Sequence, residues 1–141
     1  HMSDATGGLV RWVELPSLGD ERGELVAIEA GKSVPFPIRR VYYMYGSGVS
    51  VSRGYHAHRA LQQVAICVAG SCIMRLDDGR EKADVILDSP HRGLLIGGMV
   101  WREMHEFSPD CVLLVLADQH YDELDYIRSY DEFLEVLNAK N

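Results

Sequence analysis

At 141 residues, 47% of them hydrophobic and 25% charged, the chain has the composition of one ordinary globular domain with enough core to fold without staples. A net charge of -7 excludes nucleic acid as a partner, because a phosphate backbone needs a basic face, but it leaves open a small anionic ligand met by a local arginine cluster. No apolar run approaches the roughly 18 residues of a membrane span and no signal-peptide pattern is visible, so the default expectation is a cytoplasmic protein with no membrane partner.

The leading His1-Met2 reads as a cloning remnant and residues 3–8 as a frayed Ser/Gly-rich start, which leaves 9–141 as a single domain. Strand composition appears at 9–14, and again at 24–29 after a turn around Pro16 and Gly19. Pro35 and Pro37 then punctuate a loop before a strand over 38–45, in which Arg40, Tyr42 and Met44 share one face while Val41, Tyr43 and Tyr45 share the other. After the turn-rich gap at 46–50 come a histidine-bearing strand, an apolar run over 64–68, and a strand over 71–76. Asp78-Gly79 is the strongest short hairpin signal in the chain, and 83–87 returns from it. Further strands are predicted over 94–96, 99–107 and 111–117, with turns at Pro90, Gly97-Gly98 and Pro109 between them. Only the tail changes period: from Tyr126 onward Ile127, Tyr130, Phe133, Leu134 and Leu137 follow helical spacing. Many short strands with one terminal helix predict an all-β fold, a double-sheet β-barrel or jelly roll. Cys67, Cys72 and Cys111 are odd in number, lack a Cys-x-x-Cys spacing and sit in apolar runs, so they read as buried thiols of a reducing compartment.

The functional reading turns on Arg53-Gly54-Tyr55-His56-Ala57-His58. Histidines two apart on a strand point to the same face, where near-neutral imidazoles can hold a transition metal or pass protons. The spacing His56-x-His58-x4-Gln63-x6-Gly70 resembles the first motif of the cupin superfamily, small barrels in which two histidines and a glutamate normally bind a metal. By that resemblance a third histidine would come from the segment around Gly97 to Arg102. Here Gln63 stands at the carboxylate position and Arg102 at the last imidazole position. An amide is a poor ligand and a permanent cation repels a divalent metal, so no metal is expected and the two histidines are left for proton chemistry.

A closer resemblance covers the chain from Arg22 to the tail. Arg22-Gly23, Pro35-Phe36, Arg40-Val41-Tyr42-Tyr43, Arg53 to His58, Leu87-Asp88-Ser89-Pro90, Val100 to Met104, the run 111–117 and Tyr121-Asp122-Glu123-x-Asp125-Tyr126-Ile127-Arg128 are together similar to the dTDP-4-keto-6-deoxyglucose 3,4-ketoisomerases. The resemblance implies a cofactor-free cupin homodimer that moves the carbonyl of a dTDP-linked keto sugar from C4 to C3, on the route to 3-amino-3,6-dideoxy sugars. It further implies that His56 takes the carbon proton and His58 relays an oxygen proton. Without a metal, Arg102, Tyr42 and a protonated histidine must supply the field for the enediolate. Arg22, Arg40 and Arg53 are the candidates for phosphate or sugar contacts, Tyr42 and Tyr43 for ring contacts, and Gln63 and Arg102 complete the expected substrate-binding set.

Other features have plainer readings. His91 and His105 are taken as structural or exposed, and His120 as more simply structural than a mouth residue. Tyr121, Tyr126 and Tyr130 are read as packing the helix on the barrel, and the charges over 122–135 as its wet face. The competing functions are a 3,5-epimerase on the same scaffold, a non-catalytic nucleotide-sugar-binding cupin and, weakest, a metal-dependent dioxygenase.

Overall fold

The computed structural model describes residues 8–140, so the predicted cloning remnant and most of the frayed start lie outside the described residues. The strands are β1 (Arg11–Glu14), β2 (Arg40–Tyr45), β3 (Arg53–His58), β4 (Gln63–Ala69), β5 (Cys72–Asp77), β6 (Lys82–Leu87), β7 (Arg92–Ile96), β8 (Trp101–His105), β9 (Val112–Ala117) and β10 (Tyr126–Ile127), followed by helix α1 (Tyr130–Lys140). They form two five-stranded antiparallel sheets, one ordered β1-β7-β4-β9-β2 and the other β10-β3-β8-β5-β6. This is the expected all-β double-sheet barrel with a C-terminal helix.

Strand β4 explains why the run after Gln63 is continuously apolar. It lies centrally in the first sheet, Gln63 to Cys67 are buried, and both faces are covered. Its inward side chains meet Met74, Leu76, Leu94, Met104, Phe107 and Leu113 in the barrel interior. Its outward Val64 and Ile66 pack beneath Leu15, Val34 and Phe36. Residues 24–29 do not form the predicted strand. Their alternation is real, because Val26 and Ile28 pack on that outer layer, but the segment joins no ladder.

The tail also differs from its predicted reading. Helix α1 starts at Tyr130, not Tyr126: Ser129 caps it by accepting from the Glu132 N–H through Oγ, and Ile127 pairs with Ala57 as part of β10. Ile127 matches the helical period only because it is buried in the same cluster as Phe133, Trp101 and Ala57. The hairpin signal holds, with Asp78 and Gly79 turning β5 into β6 and Gly79 at a φ of +90°.

Candidate active site

The site is built where the two sheets face each other at one end of the barrel. Tyr42 on β2 and Gln63 on β4 come from the first sheet; His56 and His58 on β3 and Arg102 on β8 come from the second. The histidines are aimed by an irregularity in β3. Gly54 lies opposite Glu103 and His56 opposite Arg102, so Tyr55 is an inserted residue, and Gly54 and Tyr55 take φ values of +90° and +60°. A Cβ at Gly54 would stand 2.9 Å from the Arg102 carbonyl oxygen, which restricts the position to glycine. Tyr55 turns outward against His105, while His56 and His58 turn inward with ring centroids 4.9 Å apart.

A buried relay joins the sheets. Arg102 donates from Nη1 to Gln63 Oε1 at 2.6 Å, and Gln63 donates from Nε2 to the Tyr42 hydroxyl at 2.7 Å. Because that hydroxyl accepts from Gln63, its own hydrogen is free to point into the cavity. Arg102 is only 3% exposed, and its remaining bonds run from Nε and Nη2 to the Val100 carbonyl. Every acceptor it meets among the described residues is neutral. Burial pulls its pKa down to about 10, which leaves the guanidinium charged at neutral pH.

That charge governs the imidazoles. Burial first, and the Arg102 field second, push His56 down to about 4. The same causes in the same order, with His56 and Arg40 adding to them, hold His58 well below the ordinary imidazole range. Both rings are neutral at physiological pH. His58 is 1% exposed, its Nδ1 lies 3.1 Å from Asp125 Oδ2, and its Nε2 has no hydrogen-bond partner. Burial also raises the Tyr42 phenol, so it remains a hydrogen-bond donor.

The cavity narrows inward. Its mouth, about 360 Å³, is lined among others by Arg40, Tyr42, Arg53, His56, Tyr126 and Arg128. Behind it a constricted space of about 20 Å³ is bounded by Tyr42, His56, Gln63 and Arg102 and floored by Met44, Met74 and Met104. Guanidinium and phenol alternate around the mouth: Arg40 lies over the rings of Tyr42 and Tyr121, and Arg128 lies 4.1 Å from the Tyr126 centroid. Arg40 Nε is buried without a partner.

The structure thus brings His56, His58, Arg40, Tyr42, Arg53, Gln63 and Arg102 together. Two predicted contacts are not brought in. Tyr43 is 61% exposed on the opposite face of β2, as the alternation of that strand requires, and Arg22 pairs with Asp20 on an exposed turn and is not among the residues that line the mouth. Four further residues at the cavity escaped the sequence reading. Tyr126 lies over both imidazoles, at 5.0 Å from His56 and 4.4 Å from His58, Tyr121 and Arg128 line the mouth, and Asp125 grips His58. Reading the charges over 122–135 as the wet face of a helix hid Asp125 and Arg128, and reading Tyr121 and Tyr126 as helix packing hid the two rings.

The donor set does not fit a cupin metal. An ion bound to His56 and His58 would face the buried Arg102 guanidinium, and both ends of the Gln63 amide are already committed, to Arg102 and Tyr42.

Residues 9–138 match the protein family described as FdtA, WxcM-like, C-terminal. The chain is 54% identical over 122 residues to the TDP-4-oxo-6-deoxy-alpha-D-glucose-3,4-oxoisomerase of Aneurinibacillus thermoaerophilus, covering 86% of this chain and 88% of the relative. Its fold is similar to that of a His-to-Asn variant of the 3,4-ketoisomerase QdtA from Thermoanaerobacterium thermosaccharolyticum, solved in complex with TDP-4-keto-6-deoxyglucose. That match has a TM-score of 0.90 at 42% identity, over 94% of this chain and 96% of the other. A 3,4-ketoisomerase from Helicobacter canadensis superposes with a TM-score of 0.89 at 46% identity, over 92% of this chain and 97% of the other.

Proposed function

The chain belongs to the FdtA family, WxcM-like, C-terminal, and from that premise we propose that it is a sugar-nucleotide 3,4-ketoisomerase that converts dTDP-4-keto-6-deoxyglucose to the 3-keto isomer without a metal. The observation that carries the chemistry is a pair of neutral, adjacent imidazoles, His56 lining the cavity and His58 buried against it, beside a buried guanidinium bonded only to neutral acceptors.

The C4 ketone acidifies the hydrogen on C3, and His56 removes it as the general base. The electron pair moves into an enediolate, whose negative oxygen is met by Arg102 and by the free hydrogen of the Tyr42 hydroxyl, donors already oriented by Gln63. The proton held on His56 exchanges with solvent, and His56 then protonates C4. The O3 hydroxyl proton passes to His58 and on to O4, so that C3 ends as the carbonyl and C4 as the alcohol. Gln63 serves by orienting Arg102 and Tyr42. Arg40, with its unpartnered Nε, and Arg53 meet the pyrophosphate at the mouth, where Tyr121 and Tyr126 offer ring faces. The 3-keto product is the class of substrate an aminotransferase would need to make a 3-amino-3,6-dideoxy sugar.

The working form is a homodimer. Val41, Tyr43 and Tyr45 expose 53%, 61% and 71% of their surface side by side on an edge strand, with Val68 and Leu25 nearby on the same sheet face, and a second copy would cover them. Its buried free thiols suit the cytoplasm, the compartment we assign to it.

The test is turnover of dTDP-4-keto-6-deoxyglucose in deuterated water with a chelator present. Deuterium at C4 of a 3-keto product is expected, and His56→Asn should abolish it with the fold intact. Exchange at C5 would identify a 3,5-epimerase instead, and binding without exchange would leave a carrier of nucleotide sugars.

A further inference from the structure

We infer that Asp125 is a positioning residue that fixes the tautomer of His58, so that the buried, unpartnered Nε2 is a proton acceptor and not a donor; this rests on the ketoisomerase reading of the same site. The tail reaches back over β3 for this purpose. The Asp125 carbonyl accepts from Arg59 N–H at 2.9 Å, Oδ1 accepts from Ala60 N–H at 2.9 Å, and Oδ2 accepts from Leu61 N–H at 3.3 Å as well as meeting His58 Nδ1 at 3.1 Å. A carboxylate offers only acceptors, so the hydrogen between it and the ring belongs to Nδ1. Neutral imidazole carries one hydrogen, and Nε2 is therefore left with a bare lone pair. That atom is buried and without a partner in the protein. A buried acceptor is costly to leave unsatisfied, and the group that completes it is the substrate hydroxyl whose proton must leave as C3 becomes a carbonyl.

The arrangement is over-determined. Asp125 cannot rotate away from His58 without releasing the main-chain N–H groups of Ala60 and Leu61, which follow β3 directly. Pairing of Tyr126 with His58 and of Ile127 with Ala57 locks the same segment to the strand that carries the ring. With Nε2 free, the O3 proton moves to Nε2 while Nδ1–H stays on Asp125, and Nε2 then gives that proton to O4. Nothing is left over on the enzyme at the end of the cycle.

Replacing Asp125 by asparagine tests the inference, because the amide NH2 would take the place of Oδ2 and donate to Nδ1. His58 would then carry its hydrogen on Nε2, pointing it at the hydroxyl it must deprotonate. Long-range 1H–15N correlation spectra of the whole protein should show Nδ1–H at His58 in the wild type and Nε2–H in Asp125→Asn. Turnover number should fall at least about 100-fold with KM changed by less than about threefold, and Asp125→Glu should recover part of the loss. A wild-type spectrum with the hydrogen on Nε2 would overturn the inference even if the variant failed to fold. So would an Asp125→Asn enzyme that inverts the tautomer and keeps its turnover number within about threefold of the wild type. Absence of ketoisomerase turnover in the wild type would sink the reaction reading, while the spectrum would still decide the tautomer.

Discussion

The two ends of the barrel interior share β4 and are filled on opposite principles. Along β4, Gln63, Ala65 and Cys67 all face inward, so a single strand runs from amide to methyl to thiol in four residues of rise. At the far end Cys67 Sγ lies 3.7 Å from Cys72 Sγ and 3.6 Å from Cys111 Sγ, among Leu113, Phe107 and Leu87. The Cys72 contact first and burial second push the Cys67 thiol far up, and burial lifts Cys111 to about 12, so these two thiols stay protonated within the packed core. At the near end a guanidinium is buried without a carboxylate, an imidazole nitrogen has no partner, and space is left unfilled. One end is saturated by its own contacts. The other is completed only by something that enters it, which is what a site organised for a developing negative charge requires.

The most direct way to break that contrast is to make the near end resemble the far one. Arg102→Met replaces the buried cation with an apolar chain of similar length. Turnover should fall by about 100- to 1,000-fold, as for loss of a principal oxyanion donor. Stability should change little, since relief of charge burial offsets the loss of donors to Gln63 and Val100; a thermal midpoint within about 5 °C of the wild type is expected. A variant that unfolds while the residual folded fraction stays active would show that Arg102 is structural.

Gly54→Ala tests how the near end is aimed. At a φ of +90° an added Cβ meets the Arg102 carbonyl at 2.9 Å and Met104 Cε at 3.0 Å, so the β3 irregularity must shift and take His56 with it. A loss of roughly 1–3 kcal/mol in stability and more than about tenfold in turnover is expected from denaturant titration and kinetics. Unchanged turnover would mean that the bulge does not aim the base.

Most of the barrel was legible because its signals are local. The alternation in Arg40 to Tyr45, the Asp78-Gly79 turn and the buried run after Gln63 each carry their own period. The near end was half legible. His56 and His58 are spaced for one face, and the pairing of an amide at 63 with a guanidinium at 102 was visible as a departure from a metal-binding pattern. What could not be read was long-range placement. Nothing in the neighbourhood of Asp125 and Tyr126 says that they return to β3, 67 residues back in the case of the Asp125–His58 contact, and a helical period from Ile127 onward argued for the wrong element. Tyr43 is the converse case: the strand alternation sets it opposite Tyr42, exposed on the outer face and apart from the cavity lining.

The far end gives a smaller and complementary effect. Cys67→Ser keeps the size of the side chain but places a hydroxyl among sulfurs and hydrocarbon. A loss of about 1–3 kcal/mol is expected in equilibrium unfolding, with turnover and KM within about twofold of the wild type. Loss of activity without loss of stability would mean that the thiols communicate with the site and that the division between the two ends is false.

The smallest effect sharpens the contrast through pH. The groups facing His56 are Arg102 from β8, Arg128 and Tyr126 from the tail, His58 from its own strand, and the Gly54 backbone, whose hydrogen bond alone favours the charged ring. With its folded value near 4 and its unfolded value near the ordinary 6.5 or about that, the unfolded chain binds the extra proton between those two limits. Stability therefore falls as pH drops through about 6.5 and stops falling, for this group, once pH passes below the folded value. His58 adds in the same direction over a wider span. In kinetics the acid limb of kcat/KM, which reports the free enzyme, should lie near pH 4 for the wild type. Arg102→Gln removes the second cause of the depression and leaves the first, burial, in place. An NMR titration of His56 in that variant should move the midpoint upward but not as far as an exposed imidazole. A wild-type midpoint already at the exposed value would show that the near end is wet and that its guanidinium exerts no field on the base.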